Sequence, residues 1–337
     1  MAVTIIAFSL FSCSLIMENS ILSYATGIAV SGNNIYISGY WQPFKSFDAE
    51  TACYWKNGKR YDLISGGKAN YATGIAVCGS DVYVIGFYDT GGYYGYYVNC
   101  YWKNNKLYDF PGFNKLKYIT ASNTDVYIVG EYYNNNKKTA CYWKDDVWYD
   151  LTSPLDNTSV SSAIIHDSIL YVSGQYYHDE STQQACYWKD GIFVNLGDSV
   201  NRSETSSIAV FGTDIYVIGS FNDPKYRIGT SCYWKNGLRH NTDDDTNYEF
   251  VVASDSNIYI SGTYRMPDND TFSGYRHHPV YWKNFKRFSI DDKDANYIYG
   301  IAVSNSDVYL SGTYGNKTKS QGACYWKNGK MFKLDDK

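Results

Sequence analysis

One phrase, Cys53-Tyr54-Trp55-Lys56-Asn57-Gly58, returns in altered form along the whole chain and constrains its fold more than any other feature. The Tyr-Trp-Lys core stands at Trp55, Trp102, Trp143, Trp188, Trp234, Trp282 and Trp326, at steps of 47, 41, 45, 46, 48 and 44 residues. Self-similarity at such a period marks a repeat architecture, in which a single unit cannot bury its apolar faces and neighbouring units must cover them. A second phrase, aliphatic-Tyr-aliphatic-x-Gly, runs in register with the first. It is Ile35-Tyr36-Ile37-Ser38-Gly39 in the first unit and ends again at Gly86, Gly130, Gly174, Gly219, Gly262 and Gly312. Seven copies of each phrase make seven units.

Four short strands can be read in a unit. The first, Tyr24 to Val30 and its counterparts Tyr71 to Val77, Thr205 to Val210 and Tyr297 to Val303, is rich in Ala, Gly, Ser and Ile. Small residues suit the crowded strand nearest a ring axis. A tight turn such as Gly32-Asn33 leads to the Tyr phrase, and a loop of variable length leads to the Tyr-Trp-Lys strand. Asn57-Gly58, Asn236-Gly237 and Asn328-Gly329 then supply the residue types that a two-residue type I′ hairpin needs, because both of its central positions have positive φ. A short fourth strand follows, such as Tyr61 to Leu63. In the third strand, alternation puts Cys53 and Trp55 on one side and Ala52, Tyr54 and Lys56 on the other, so both faces need a cover. The expected fold is all-β, a seven-bladed β-propeller of four-stranded antiparallel blades. It would occupy 21–337 as one domain, with blades at about 24–63, 71–110, 116–151, 159–196, 204–241, 248–290 and 296–334. The ring is expected to close without a strand exchanged between its first and last units.

The order Ile-Ala-Val-Ser-Gly, Val-Tyr-Val, Ala-Cys-Tyr-Trp-Lys-Asn-Gly and Tyr-Asp-Leu resembles the repeats of bacterial extracytoplasmic propeller proteins. In particular it resembles the group whose units end in an Ala-Phe-x-Trp-x-x-Gly strand. The layout is also similar to kelch repeats, although the kelch double glycine is absent, since Tyr40 follows Gly39 and Glu131 follows Gly130. The resemblance spans roughly 24–334 and implies a propeller fold and an extracytoplasmic location (periplasm, cell surface or secreted). It implies no particular reaction.

Composition narrows the partners. The net charge is −4, charged residues are 19% of the chain, and no basic run is present, which speaks against nucleic acid. Of the eight cysteines, six (Cys53, Cys100, Cys141, Cys186, Cys232, Cys324) fill one repeat position, where the sixth unit has Val280. In a ring, equivalent third strands are on the order of 14 Å apart, twice the roughly 7 Å that a disulfide spans between Cα atoms. These read as buried thiols serving as small hydrophobes. At the amino terminus, Val3 to Ile16 is an apolar run of signal-peptide length, and Leu10-Phe11-Ser12-Cys13 is similar to a bacterial lipoprotein processing site. Residues 1–20 are therefore read as an export segment with Cys13 as the lipidation candidate, the only membrane link expected. An extra strand, or a true start at Met17, are the alternatives.

In this topology the turns from strand one to two and from three to four share one end of the ring, and they are short and uniform. The variable loops share the other end, where function belongs. Candidate ligand-binding residues there are Trp41, Tyr93, Tyr94, Tyr96, Tyr97, Tyr132, Tyr176, Arg265, Tyr275 and Arg276. Aromatic rings give large amphipathic contact to sugars or to a partner's side chains. The set two residues after each phrase glycine (Trp41, Tyr88, Tyr132, Tyr176, Phe221, Tyr264, Tyr314) reads first as packing, because a position filled in every blade belongs to the scaffold. The seven lysines from Lys56 to Lys327 read as side chains laid over a neighbouring strand. No catalytic, cofactor or metal motif emerges. His277 and His278 would face opposite ways on a strand, and Asp243-Asp244-Asp245 and Asp268-Asn269-Asp270 lack a calcium loop's Gly and distal Glu.

The functional expectation is a monomeric, non-enzymatic binding or scaffold propeller that engages a polysaccharide or a protein through its variable face. A glycan hydrolase or lyase with its site over the central channel is the alternative, using loop carboxylates such as Asp48, Glu50, Asp89, Glu131, Asp179 and Glu180. An intracellular protein-interaction hub is the third reading. Intact-mass analysis of the protein from its native cells separates these by location. Export with lipidation gives a chain that begins at Cys13 with added lipid mass, whereas an unprocessed cytosolic chain contradicts export.

Overall fold

The computed structural model describes residues 21–43, 50–91, 96–110, 115–122, 124–135, 137–151, 153, 157–177, 182–197, 202–222, 229–242, 246–267, 275–290, 295–315 and 321–334. They form seven four-stranded antiparallel sheets, each built from four consecutive strands, arranged as a β-propeller. Blade one shows the pattern: β1 (Ile21–Ser31), β2 (Asn34–Pro43), β3 (Thr51–Lys56) and β4 (Lys59–Asp62), in that order across the sheet. The first strands of successive blades pack on one another around the axis, and each fourth strand lies at the rim. No strand is exchanged among the described residues. Blade seven meets blade one through Ala25, Ile37, Cys53 and Trp55 against Ala323 and Leu334.

There is no single core. Each apolar cluster is a wedge between two blades, as where Tyr36, Ala52, Tyr54 and Leu63 of blade one meet Ala72, Ile75, Val84, Cys100 and Trp102 of blade two. The alternation of the third strand produces this, since Cys and Trp face the preceding blade while Ala and Tyr face the next. Six of the repeat tryptophans are buried, and Trp143 is half-buried. The six repeat cysteines are buried free thiols, and burial pushes the Cys232 thiol up to about 12. A small clasp at the variable end joins the blades. The Ala323 amide donates to the Ser23 hydroxyl at 2.7 Å, as Ala140 does to Thr158 at 2.9 Å and Ala185 to Ser203 at 3.0 Å.

The two repeated phrases meet at one contact. A Cβ placed at Gly39, Gly86, Gly174, Gly219, Gly262 or Gly312 would overlap the carbonyl oxygen of Tyr24, Tyr71, Ser159, Glu204, Asn247 or Tyr297 on the first strand. At Gly39, Gly86, Gly174 and Gly312 the same Cβ would also lie 2.8–3.0 Å from the ring of the blade's own tryptophan. Beside this contact every first strand carries a β-bulge, for example between Ala25 and Gly27 opposite Gly39 and Ser38. The bulge adds one residue to the first strand without a partner on the second.

At the uniform end the turns are tied to each other. Asn57, at φ 51°, accepts the Ile35 amide on its side-chain oxygen at 2.9 Å and donates to Asn34 at 2.8 Å. Asn104, Asn236, Asn284 and Asn328 repeat the first bond. All seven repeat lysines lie over the Tyr of their own blade's second strand, with the ammonium 4.8–5.7 Å from the ring centroid. Four of them also pair with an Asp, namely Asp81, Asp125, Asp214 or Asp307.

Replacing Gly174 by Ala is expected to cost about 2–3 kcal/mol in urea unfolding, because backbone and a buried Trp188 ring must both move. Gly58→Asn should be nearly silent, since blade two carries Asn104-Asn105 in the same turn.

Candidate functional site

The bulge residues are the axial positions that the scaffold leaves free. By register they are Thr26, Thr73, Lys117, Ser161, Ser206, Glu249 and Tyr299, one per blade. Five of them, Thr26, Thr73, Lys117, Ser161 and Tyr299, line a cavity of about 250 Å³ on the axis. Ile28, Ile75, Ile119 and Ile301 line its apolar part, and Tyr118 and Phe250 fill positions where blades one, two and seven have Gly27, Gly74 and Gly300. Bulges recur beside functional sites because they re-aim a side chain. Here seven bulges face the axis, and their side chains are of five kinds.

The sevenfold symmetry breaks again two residues nearer the variable end. There the first strands present Tyr24, Tyr71, Lys115, Ser159, Glu204, Asn247 and Tyr297. Their cross-strand partners on the second strands are Tyr40, Phe87, Glu131, Gln175, Ser220, Thr263 and Thr313. Taken with the bulge residues, blades seven, one and two supply aromatics, blade three Lys115 and Lys117 with Glu131, and blades five and six Glu204 and Glu249.

The aromatics form a connected ridge. Tyr24 stacks on Tyr40 at 4.8 Å, Tyr40 meets Tyr71 edge-on at 5.1 Å, and Tyr71 stacks on Phe87 at 4.9 Å. Phe87 in turn meets Tyr97 edge-on at 5.4 Å. Tyr297 lies 6.1 Å from Tyr299 at the other end. The Tyr71 hydroxyl donates to Glu50 at 2.8 Å. Burial, followed by the neighbouring Tyr24, Tyr299 and Glu50, pushes the Tyr40 phenol up to about 12, so this hydroxyl stays protonated and remains a donor.

On blade three, Glu131 is buried and accepts the Ser159 hydroxyl at 2.6 Å, with the ammonium groups of Lys117 and Lys138 at 3.5 and 3.7 Å. Burial holds the Lys117 ammonium below its usual range against the pull of Glu131. Glu249, on blade six, is pushed up to about 7 by burial, offset in part by the amide of Asn247, which donates at 3.2 Å. Its charge reaches Tyr299. A carboxyl group poised near neutrality and a partly desolvated lysine on the same channel are the kind of perturbed groups that mark working sites.

The residues singled out from sequence fall in three places. Trp41, Tyr132 and Tyr176 are bonded to the outer strand of their own blades: to Asp62 at 3.0 Å, Asp150 at 3.0 Å and Asn195 at 3.1 Å. Arg60 covers Trp41 at 3.9 Å. Tyr97 joins the ridge, and Tyr96 beside it is exposed. Arg265 pairs across from His277, and Tyr275 and Arg276 open the third strand of blade six opposite Pro267 and Met266. Cys13, Tyr93, Tyr94, Asp48, Asp179 and Glu180 lie outside the described residues. Lys117, Glu249 and Tyr299 escape the sequence reading. Their signal is a column in which the seven first strands read Thr, Thr, Lys, Ser, Ser, Glu and Tyr.

No known family matches the chain, and no curated protein matches it, so the resemblance to extracytoplasmic repeats rests on the repeated phrases alone. Solved structures share the fold. The β-propeller domain of the Trilobed protease from Pyrococcus furiosus aligns with a TM-score of 0.58 at 11% identity, over 93% of this chain and 98% of that one. That domain has an open velcro topology. The polysaccharide lyase Uly1 aligns at 0.57 and 12% identity, over 92% and 90% of the two chains. A puromycin-hydrolyzing peptidase of Mycobacterium tuberculosis aligns at 0.59 and 8% identity over 94% of this chain, which spans 53% of its length.

Glu249 gives the site a pH signature. The folded protein holds this proton more tightly than the unfolded chain, so stability from the group is full below the ordinary carboxylate range and falls as pH rises toward about 7. Glu249→Gln should match the parent in thermal melts at pH 4 and exceed it by about 2 °C at pH 8.

Proposed function

We propose that the protein is a carbohydrate-binding propeller whose axial mouth on the variable face engages a polysaccharide. The ridge from Tyr24 through Tyr40, Tyr71 and Phe87 to Tyr97, with the separate Tyr297–Tyr299 pair on the adjoining blade, carries this reading. The fold does not require it. The matching positions of blades four to six hold Ser159, Gln175, Glu204, Ser220, Asn247 and Thr263, and those blades form equally well. A continuous series of rings with phenol donors fits pyranose faces, which present C–H patches for stacking and hydroxyls for hydrogen bonds. A protein partner fits less well, because the ridge runs into a narrow axial cavity. Export to the cell envelope, with Cys13 as lipid anchor, is the location that fits such a ligand.

A second reading, a glycan-active enzyme, draws on Glu249, whose near-neutral carboxyl suits proton transfer. A propeller of this kind is compatible with such chemistry, since a polysaccharide lyase shares the fold. Release of reducing ends or unsaturated sugars by the parent, abolished in Glu249→Gln, would favour it over pure binding.

Tyr97 is 62% exposed at the outer end of the ridge, so it tests binding without disturbing the core. On a polysaccharide panel read by calorimetry, Tyr97→Ala should weaken the bound glycan about 3- to 10-fold with an unchanged melting temperature. Tyr97→Phe should keep most of the affinity. Equal binding by all three proteins would remove the ridge from the site.

A further inference from the structure

We propose that the axial cavity takes the carboxylate of an acidic sugar, with Lys117 as its cation. This rests on the carbohydrate reading above and names the class of glycan. Lys117 is the one charged residue among those lining the cavity, and the other polar lining groups are the hydroxyls of Thr26, Thr73, Ser161, Tyr118 and Tyr299. Each can donate a hydrogen bond, and no carboxylate is part of that lining. Of these hydroxyls, Thr26 already donates to the Ala72 carbonyl at 2.8 Å, Thr73 to Ile85 at 3.3 Å and Ser161 to Gln175 at 3.1 Å. Tyr118 shares a hydrogen bond with Ser162 and Tyr299 with Thr313, so the Lys117 ammonium, with three N–H donors, is the lining group with most capacity left to meet a ligand.

The charge balance of blade three favours an anion. Glu131 sits 3.5 Å from Lys117 and 3.7 Å from Lys138, and Lys115 is exposed on the same strand as Lys117. Two ammonium groups thus flank one carboxylate, which also holds Ser159, and Lys115 stands across the ladder from it. An ammonium has three N–H donors, so Lys117 keeps donors for a second acceptor after meeting Glu131. Its partial burial strengthens a bond to a ligand carboxylate beyond what an exposed lysine offers.

Size and position complete the argument. At about 250 Å³ the cavity is smaller than the pockets of about 300–1,000 Å³ that take drug-sized ligands. It suits one sugar residue, while Tyr24, Tyr40 and Tyr71 outside it support the sugars that follow. On the far side, Glu249 and Glu204 would repel a second anion, which orients the ligand with its carboxylate toward blade three.

The test compares tetra-galacturonate and tetra-mannuronate with maltotetraose and cellotetraose by calorimetry, on the parent, Lys117→Met and Lys117→Arg, each checked for an unchanged thermal melt. The proposal expects an acidic oligomer to bind at least tenfold more tightly than the neutral ones. It expects Lys117→Met to lose about tenfold in that affinity and Lys117→Arg to stay within about threefold of the parent. Binding of the acidic oligomer should also weaken between 50 and 500 mM salt, whereas any neutral binding should not. Neutral oligomers bound as well as acidic ones, with Lys117→Met unchanged, would overturn the acidic-sugar assignment and leave the carbohydrate reading standing. No binding of any of the four would overturn both.

Discussion

The contact on which this structure depends is the approach of a glycine on the second strand of six blades to a carbonyl oxygen on the first. At Gly39 the Tyr24 carbonyl occupies the space a Cβ would fill, and the Trp55 ring lies against the same spot. The contact brings the two strands close, lets the tryptophan lie flat within the blade, and stands beside the bulge that expels Thr26 from the ladder. Both repeated phrases are consequences: Gly and Trp recur because they meet, and the intervening Tyr recurs because Lys56 and its equivalents lie over it. Buried aromatic surface at seven such wedges, each Trp worth several kcal/mol on truncation, stabilises a ring that has no common core.

The same contact separates what is fixed from what is free. Positions that pack between blades are held to one kind of residue, a small apolar side chain in this case, as with Cys at six blades and Val280 in blade six. The bulge residue packs against no neighbouring blade in this obligatory way, so it can be Thr, Lys, Ser, Glu or Tyr without loss of the fold. Seven bulges converge on the axis. A propeller thus presents, at one place, the residues its packing constrains least, and in this chain they sort into an aromatic side, a cationic side and an acidic side. The uniform end shows the opposite behaviour, with the lysine over tyrosine and the Asn57 clasp repeated around the ring, and it carries no such asymmetry.

The scaffold was legible in the sequence because it is written in repeated residues. Seven units, strand order, the Asn-Gly turns and the alternation of Cys53 and Trp55 against Tyr54 all follow from the phrases. The site was harder to read for the same reason. Ala25-Thr26-Gly27-Ile28 looks like an ordinary strand, and a bulge changes which side chain faces the axis without leaving a residue type as its mark. The loop aromatics drew attention by number, whereas Trp41, Tyr132 and Tyr176 proved to be tied to Asp62, Asp150 and Asn195. Glu249, on the first strand of blade six, carries no mark in the sequence because its character comes from burial, which composition does not reveal.

The central claim is that the broken symmetry at the channel mouth is the binding surface. Hydroxyl-radical footprinting with a bound polysaccharide tests it most directly, since it reads tyrosine and tryptophan side chains one by one. The account predicts loss of labelling at Tyr24, Tyr71, Tyr97 and Tyr297, with Trp148 and Tyr149 on the rim of blade three unchanged although both are exposed. Protection at Trp148 and Tyr149, with the ridge still labelled, would contradict it.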